Sequence, residues 1–495
     1  MKNPIEHLFF RARVSPSFIA IQSLNKSYTF AELSFIVRAC ASKLRSLGVQ
    51  SQQLVINHFK NAIFDLILTL SVFHEAAISC SIEADSSIDK DLESEWILTD
   101  SLAIEKGLSK NQVFIDAAWI DDALRKHKIN AAHEYRNESI CRLILTSGTT
   151  GKRKAVPLSY EMLDHRMRLS VMYWCTPGKE INCMALSTVG GIFSALVTVF
   201  LGGPIYFPGD RLVEFMKKFS ITSVTGSPIQ IASLIAQSNQ SNISINFIQT
   251  VRVAGGAVSP LLLEKIRSQI TTNVLNVYGS TEVGGITMSE LNQNCVINSL
   301  AGYPLPNIDV QIVNDSNEIL PQGQEGLVRA RSSSMAHSYY KDQEASLKSF
   351  KDGWFFSGDR GFLNADGSLV LSGRNDELIN RGGFKIDPLL IDQFFIDYPE
   401  IEDAAAFEIK NAMGIPDIGA ALVVPENFDL KKLKQDLLGK FGKGGSPNKF
   451  YKLEKIPRNQ MGKVMRFELT QKLSEKPVKV RASKEDETRN QNENG

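Results

Sequence analysis

Short apolar or β-branched runs alternate with helical patterns over much of this chain, and that alternation leaves few folds open. Residues 55–59, 77–80, 140–145, 205–207, 223–225, 250–253 and 273–277 read as strands. Strands that alternate with helices pair in parallel and wind doubly, with helices covering the sheet. The clearest helix covers residues 28–49. Thr29 caps it, Glu32 completes a capping box, and Leu33, Ile36, Val37, Cys40, Leu44 and Leu47 recur at helical spacing up to Gly48. From Asp309 the texture changes. Strands at 310–313 and 327–330 are flanked by Gly, Pro and Asn, and a hairpin turns at Asp366-Gly367. Helix and strand patterns return after Asp376. The expected organisation is a large domain over 1–375, a second over 376–474, and a disordered tail over 475–495, where apolar periodicity ends.

The strand at 140–145 runs into Thr146-Ser147-Gly148-Thr149-Thr150-Gly151-Lys152-Arg153-Lys154. That chemistry suits a polyanion. Glycines let backbone N–H groups turn inward, hydroxyls donate to phosphate oxygens, and lysine neutralises charge. A surface turn has the same composition, so the stretch by itself leaves both readings open. It is not the usual P-loop, because Lys152 is followed by Arg153 instead of Ser or Thr.

Bulk properties exclude several classes. A chain of 495 residues is too long for one core, so two or three domains are expected. A formal net charge of +1 gives no pull toward nucleic acid or acidic membranes. The 6 cysteines are scattered without a Cys-x-x-Cys pair, which argues against a zinc site or a disulfide framework and for small buried hydrophobes. The N-terminus lacks a signal-peptide pattern, and the apolar stretch at 192–201 is too short for a transmembrane segment. A cytoplasmic enzyme is the expectation.

Further segments carry chemistry in a definite order. Gly255-Gly256-Ala257 follows a strand, where paired glycines let a flat ring approach the backbone. Asn276-Val277-Tyr278-Gly279-Ser280-Thr281-Glu282 is a strand end running into an aromatic, two hydroxyls and a carboxylate. Asp359 ends an aromatic run, and Arg374 precedes Asp376 in a glycine-led turn. Gly382-Gly383 sits in Arg-Gly-Gly-Phe-Lys-Ile. Lys463 sits in Pro457-Arg458-Asn459-Gln460-Met461-Gly462-Lys463-Val464-Met465-Arg466. Each has a bland reading as a turn, a hairpin or a solvated charge.

In this order the segments resemble the adenylate-forming superfamily of acyl-CoA synthetases, adenylation domains and luciferases, over roughly residues 5–470. The resemblance implies an α/β fold: a large N-terminal domain of doubly wound αβ sheets plus a small β-barrel-like unit, with a mobile α+β C-terminal lid domain. It implies that Thr146, Ser147, Gly148, Thr149, Thr150 and Lys154 hold the ATP phosphates. Gly255, Gly256 and Ala257 border the adenine and the acyl pocket, within a nucleotide site that also takes in Asn276, Gly279 and Ser280. Tyr278 stacks on adenine, Thr281 contacts the α-phosphate and Glu282 ligates Mg²⁺. Asp359 accepts the ribose hydroxyls and Arg374 reaches the nucleotide. Asp376 is the hinge, Gly382 and Gly383 move in the thiol step, and Lys463 bridges the carboxylate and α-phosphate. The acid pocket falls at Thr188, Val189, Gly190, Gly284 and Gly285.

The implied reaction makes chemical sense of the set. A carboxylate is a poor acyl donor until its oxygen becomes part of AMP. Attack on the α-phosphate brings two anions together, so positioning and charge stabilisation dominate and no general base is needed. The expected activity is a carboxylic acid:CoA ligase using ATP, Mg²⁺ and CoA. The alternatives are loading of phosphopantetheine on a separate acyl-carrier protein, transfer to an amine, and a catalytically silent binding protein.

The chain departs from the family in places. Arg153 and Ala155 stand where Pro and Gly are frequent, and Asn459 stands where Thr is usual. His337-Ser338 replaces a Gly before Tyr339-Tyr340. The segment 185–191 has Thr188 as the nearest counterpart of a pocket His, and no acidic residue lies between Ile181 and Gly209. An α-amino acid substrate is therefore not expected, because its ammonium would be buried without a carboxylate partner.

Overall fold

The computed structural model describes residues 2–101, 109–126, 130–146, 153–174, 179–291, 300–374, 377, 379–381, 384–396, 398, 400–411, 416–459 and 462–474. The described chain forms two compact units, which meet in sequence between Ser372 and Gly373.

The larger unit is built on two extended sheets. One has six strands in the order Asn111–Phe114, Trp96–Thr99, Leu54–Phe59, Ile78–Glu83, Ile140–Thr146 and Lys154–Ser159. The first five are parallel and the last returns antiparallel as a hairpin. Leu54–Phe59 is buried along its whole length, as a parallel strand covered on both faces must be. The helix Phe30–Leu47 starts where its capping box places it. Thr29 Oγ1 accepts from the Glu32 amide at 3.2 Å, and Glu32 Oε2 accepts from the Thr29 amide at 2.8 Å. Such a cap contributes about 1 kcal/mol.

The second sheet begins with parallel strands Glu180–Asn182, Ser223–Gly226, Thr250–Ala254 and Val274–Ser280. It continues through Gly284–Glu290 and Leu300–Pro304 to Leu369–Arg374, Trp354–Leu363, Gly326–Arg331 and Asp309–Val313, with antiparallel registers. Trp354–Leu363 and Leu369–Arg374 neighbour each other as expected for a hairpin, closed by Asn364 and Ser368 across the Asp366-Gly367 turn.

The smaller unit is α+β. Strands Asp403–Lys410, Pro416–Val423 and Lys449–Lys452 form a sheet, accompanied by the hairpin Ile379–Arg381 and Phe384–Ile386 and by helices Pro388–Ile396, Leu430–Gly445 and Arg466–Ser474. Cys40, Cys80 and Cys141 are buried and Cys183 is half-buried, all unbridged, while Cys175 and Cys295 lie outside the described residues. Burial pushes the Cys40, Cys80 and Cys183 thiols up to about 12. Among the described residues no helix is long and apolar enough to cross a membrane.

Candidate active site

Open parallel sheets bind ligands beyond the carboxyl ends of their strands. Three of the segments singled out above emerge there. Residues 185–191 follow strand Glu180–Asn182, Gly255-Gly256-Ala257 follows Thr250–Ala254, and Tyr278 to Glu282 close Val274–Ser280. Gly255 to Ala257 are exposed, as a loop that meets a ligand must be. Asn276 lies one turn of the pleat earlier, its Nδ2 3.5 Å from the Leu300 carbonyl.

The turn at Thr281-Glu282 is the most tightly specified part of the site. Gly279 approaches the next strand so closely that a β-carbon on it would lie 2.4 Å from the Gly284 carbonyl oxygen. Ser280 Oγ accepts from the Val283 amide at 3.2 Å. The buried Arg166 donates to the Thr281 carbonyl at 2.9 Å and the Glu282 carbonyl at 2.6 Å. The Ala336 amide also donates to the Glu282 carbonyl, at 2.8 Å. On the side-chain end, the buried Tyr339 hydroxyl donates to Glu282 Oε1 at 2.7 Å. Lys154 Nζ lies 4.9 Å from the centre of the Tyr339 ring, so a cation of the hairpin Ile140–Thr146 and Lys154–Ser159 stands beside the group that holds Glu282. Tyr278 and Asp359 also come together, the phenol donating to Asp359 Oδ2.

Thr146 and Lys154 face each other across the hairpin, with Thr146 Oγ1 donating to the Lys154 carbonyl at 3.3 Å. Ser147, Gly148, Thr149 and Thr150 lie outside the described residues. Arg153 Nη1 donates to the Ser87 carbonyl at 3.3 Å. His337 and Ser338 are exposed, and nothing in the structure explains them beyond that.

Thr188 proves to be a helix cap. Its hydroxyl accepts from the Gly191 amide at 3.1 Å and donates to the Ala185 carbonyl at 2.8 Å, starting helix Val189–Leu201 at Val189-Gly190. Asn182 Nδ2 donates to the Gly190 carbonyl at 3.0 Å. Two residues from the other sheet reach this segment. Fully buried Arg142 donates to the Leu186 carbonyl at 2.7 Å, to Ser79 Oγ at 2.7 Å and to Thr69 Oγ1 at 3.3 Å. Glu83 Oε1 accepts from Ser187 Oγ at 2.9 Å, and burial raises its carboxyl pKa. An acidic group therefore reaches 185–191 from outside the 181–209 stretch. Gly284 and Gly285 begin the strand beyond Glu282, and Gly284 borders the Arg166 side chain.

In the smaller unit Lys463 Nζ is 2.9 Å from Glu377 Oε1. Arg466 reaches Glu377 at 3.2 Å and Asp392 at 2.6 Å, and Arg374 lies 3.6 Å from Glu377. Burial opposes ionisation of Glu377, but the Lys463, Arg466 and Arg374 cations outweigh it and hold the pKa below the ordinary glutamate value. Asn459 organises the Lys463 loop. Its Oδ1 accepts from the Lys463 amide at 2.9 Å, and its own amide donates to the Lys463 carbonyl at 2.9 Å. Asp376, Gly382 and Gly383 lie outside the described residues.

Asp387 offers a test of the packing behind this cluster. It is buried against Gly373, whose φ of 146° and lack of a β-carbon permit the approach. Burial raises its pKa from 3.8 to about 6, with Glu377 and Asp392 adding to the rise and Arg466 and the Leu389 amide opposing it. The native state thus keeps this proton longer than the unfolded chain. Its stabilising contribution is complete below pH 4 and is lost as pH rises to about 6. Asp387→Asn is expected to stabilise the smaller unit by roughly 1–3 kcal/mol at pH 7 and by little at pH 4. Thermal unfolding at the two pH values measures this; an equal effect at both would rule it out.

Comparison with known proteins identifies the family. The chain belongs to the AMP-binding enzyme family, whose model matches residues 8–340. It is an AMP-forming acid–thiol ligase. It is 28% identical over 341 residues to an oxalate–CoA ligase of Saccharomyces cerevisiae, a match spanning 67% of this chain and 63% of that protein. It is 24% identical over 504 residues to a 4-chlorobenzoate–CoA ligase of an Arthrobacter species, covering 96% of each. The crystal structure of ATP-bound MatB from Rhodopseudomonas palustris has the same fold, with a TM-score of 0.84, 21% identity, and coverage of 96% of this chain and 99% of that one.

Proposed function

We propose that this enzyme joins a small aryl or dicarboxylic acid to CoA through an acyl adenylate. The observation that carries the reading is the double hold on Glu282, by backbone clamp and by Tyr339, beside Thr281 and within reach of the Lys154 hairpin. The names of the relatives, which act on oxalate and 4-chlorobenzoate, support small acids of this kind.

In the first step a carboxylate oxygen attacks the α-phosphorus of ATP. The new O–P bond forms as the bond to the bridging oxygen of pyrophosphate breaks. Thr281 contacts the α-phosphate, and Lys463 neutralises charge shared by the carboxylate and that phosphate. The 146–154 hairpin holds and releases pyrophosphate. Tyr278 supports adenine and Asp359 accepts ribose hydroxyls, with Arg374 at the nucleotide. Gly255 to Ala257 and Gly284-Gly285 leave room for ring and acid. In the second step the CoA thiol gives its proton to solvent and attacks the acyl carbon; the C–S bond forms as the acyl C–O bond to AMP breaks, and AMP leaves with that oxygen. A hinge at Asp376 and motion of Gly382-Gly383 would exchange Lys463 for a thiol channel.

The residues fit a magnesium ion. Among the described residues no group of three or more His, Cys, Asp or Glu side chains could hold a metal. A lone carboxylate such as Glu282 suits Mg²⁺, which takes its remaining ligands from water and phosphate. When bound it would polarise the phosphate oxygens.

Acid-dependent ATP–pyrophosphate exchange over a panel including oxalate and 4-chlorobenzoate tests the first step, with acyl-CoA expected once CoA is added. Failure of exchange with every acid would overturn the reading. Exchange without acyl-CoA would move the acceptor to a carrier-protein thiol or an amine.

A further inference from the structure

We propose that Arg166 is a positioning residue that sets where Thr281 and the Glu282 carboxylate stand. The inference rests on the proposed role of Glu282 at the metal and phosphates.

Arg166 lies in helix Tyr160–Trp174, which directly follows the strand Lys154–Ser159 of the phosphate hairpin. Its side chain is buried, with the residue 5% exposed. Three donors of one planar guanidinium reach three backbone carbonyls: Nε to Ser334 at 2.9 Å, Nη1 to Thr281 at 2.9 Å, and Nη2 to Glu282 at 2.6 Å. These carbonyls belong to two segments far apart in sequence. Buried carbonyls need partners, and only a rigid fork satisfies several at once in fixed directions. A lysine would keep the charge but present a single point.

The consequence is mechanical. The Ser334 end and the Thr281-Glu282 turn cannot move independently while both grip the same side chain. The same 332–340 stretch supplies Ala336, which donates to the Glu282 carbonyl, and Tyr339, which donates to its carboxylate. Arg166 thus fixes the segment that holds Glu282 from the front as well as the turn that holds it from behind. A β-carbon on Gly284 would lie 3.8 Å from the Arg166 side chain, so the same residue borders the glycine pair assigned to the acid. Arg166 also lies 5.8 Å from the Phe193 ring centre.

The test uses the full chain with Mn²⁺ as the metal probe and ATP present, reading protein-bound Mn²⁺ by spin resonance. Glu282→Gln is the reference variant and should lose protein-dependent binding. Arg166→Gln and Arg166→Lys should each weaken Mn²⁺ binding by about tenfold and lower kcat for pyrophosphate exchange similarly, with the KM for ATP within about twofold. Arg166→Lys keeps the buried charge, so a folded protein with displaced Glu282 is obtained even where Arg166→Gln misfolds. Wild-type Mn²⁺ affinity and kcat in folded Arg166→Lys, with binding lost in Glu282→Gln, would overturn the inference and leave the proposed function standing. Unchanged binding in Glu282→Gln would overturn the inference together with the metal role proposed for Glu282, while pyrophosphate exchange decides the proposed reaction separately.

Discussion

Lys463→Ala is expected to slow acid-dependent ATP–pyrophosphate exchange by about a hundredfold or more while leaving the protein folded. The large kinetic effect follows from the reaction assigned to the lysine, which brings a carboxylate to a polyphosphate. A cation aimed at the charge that develops there is worth far more than one in bulk solvent. The small structural effect follows from its surroundings. The Lys463 side chain is 39% exposed, and its partner Glu377 keeps Arg466 when the lysine is removed. The Glu377 side chain is largely buried, but Arg466 and Arg374 still compensate its charge, so losing the half-exposed lysine costs little stability. Thermal unfolding should therefore match wild type, and full exchange in the variant would remove Lys463 from the chemistry.

Arg142→Ala should act in the opposite way, through stability. The guanidinium is wholly buried in strand Ile140–Thr146 and is held by Ser79, Thr69 and the Leu186 carbonyl. Asp65 lies in the same polar cluster, where its Oδ1 accepts from Ser81 at 2.6 Å and Asn57 at 3.1 Å. Burial raises the Asp65 pKa and lowers that of Arg142. Removing one member of such a group leaves buried polar atoms uncompensated, at a cost of about 3–5 kcal/mol. The unfolding midpoint of the larger unit should drop by several degrees. Adding Asp65→Asn should recover part of the loss, because the stranded carboxyl is then neutral from the outset. A loss below about 1 kcal/mol would show that the cluster relaxes freely.

The contrast between these residues shows what a sequence discloses. The strands at 250–253 and 273–277 were legible because β-branched runs mark them, and they appear as Thr250–Ala254 and Val274–Ser280. The helix after Thr29 was legible because its cap is local, written within four positions. The chemical groups of the proposed nucleotide site stood out as strings of unusual residues at strand ends. Arg142 did not, although an arginine inside an apolar strand signals a buried partner, because Ser79 and Leu186 come from distant segments. Glu83 was missed for the same reason: its partner Ser187 is 104 residues away. Arg166 reads as a plain helical cation until the fold brings residues 281, 282 and 334 around it. Glu377 adjoins the segment singled out at Asp376, but nothing local announces that Lys463 and Arg466 converge on it.

Under the roles proposed for Tyr278 and Asp359, the hydrogen bond between them bears on which nucleotide is accepted. The phenol and a sugar hydroxyl compete for the same carboxylate oxygen. A ribose engaging both oxygens of Asp359 brings two donors where the tyrosine supplied one, so displacement is favourable. A 2′-deoxyribose brings one, and the exchange then gains nothing. In the proposed function, the tyrosine set against the base also sets a threshold that the sugar has to pass. Comparing the affinities for ATP and 2′-deoxy-ATP reads that competition directly, and equal affinities would show that the phenol does not contest the site.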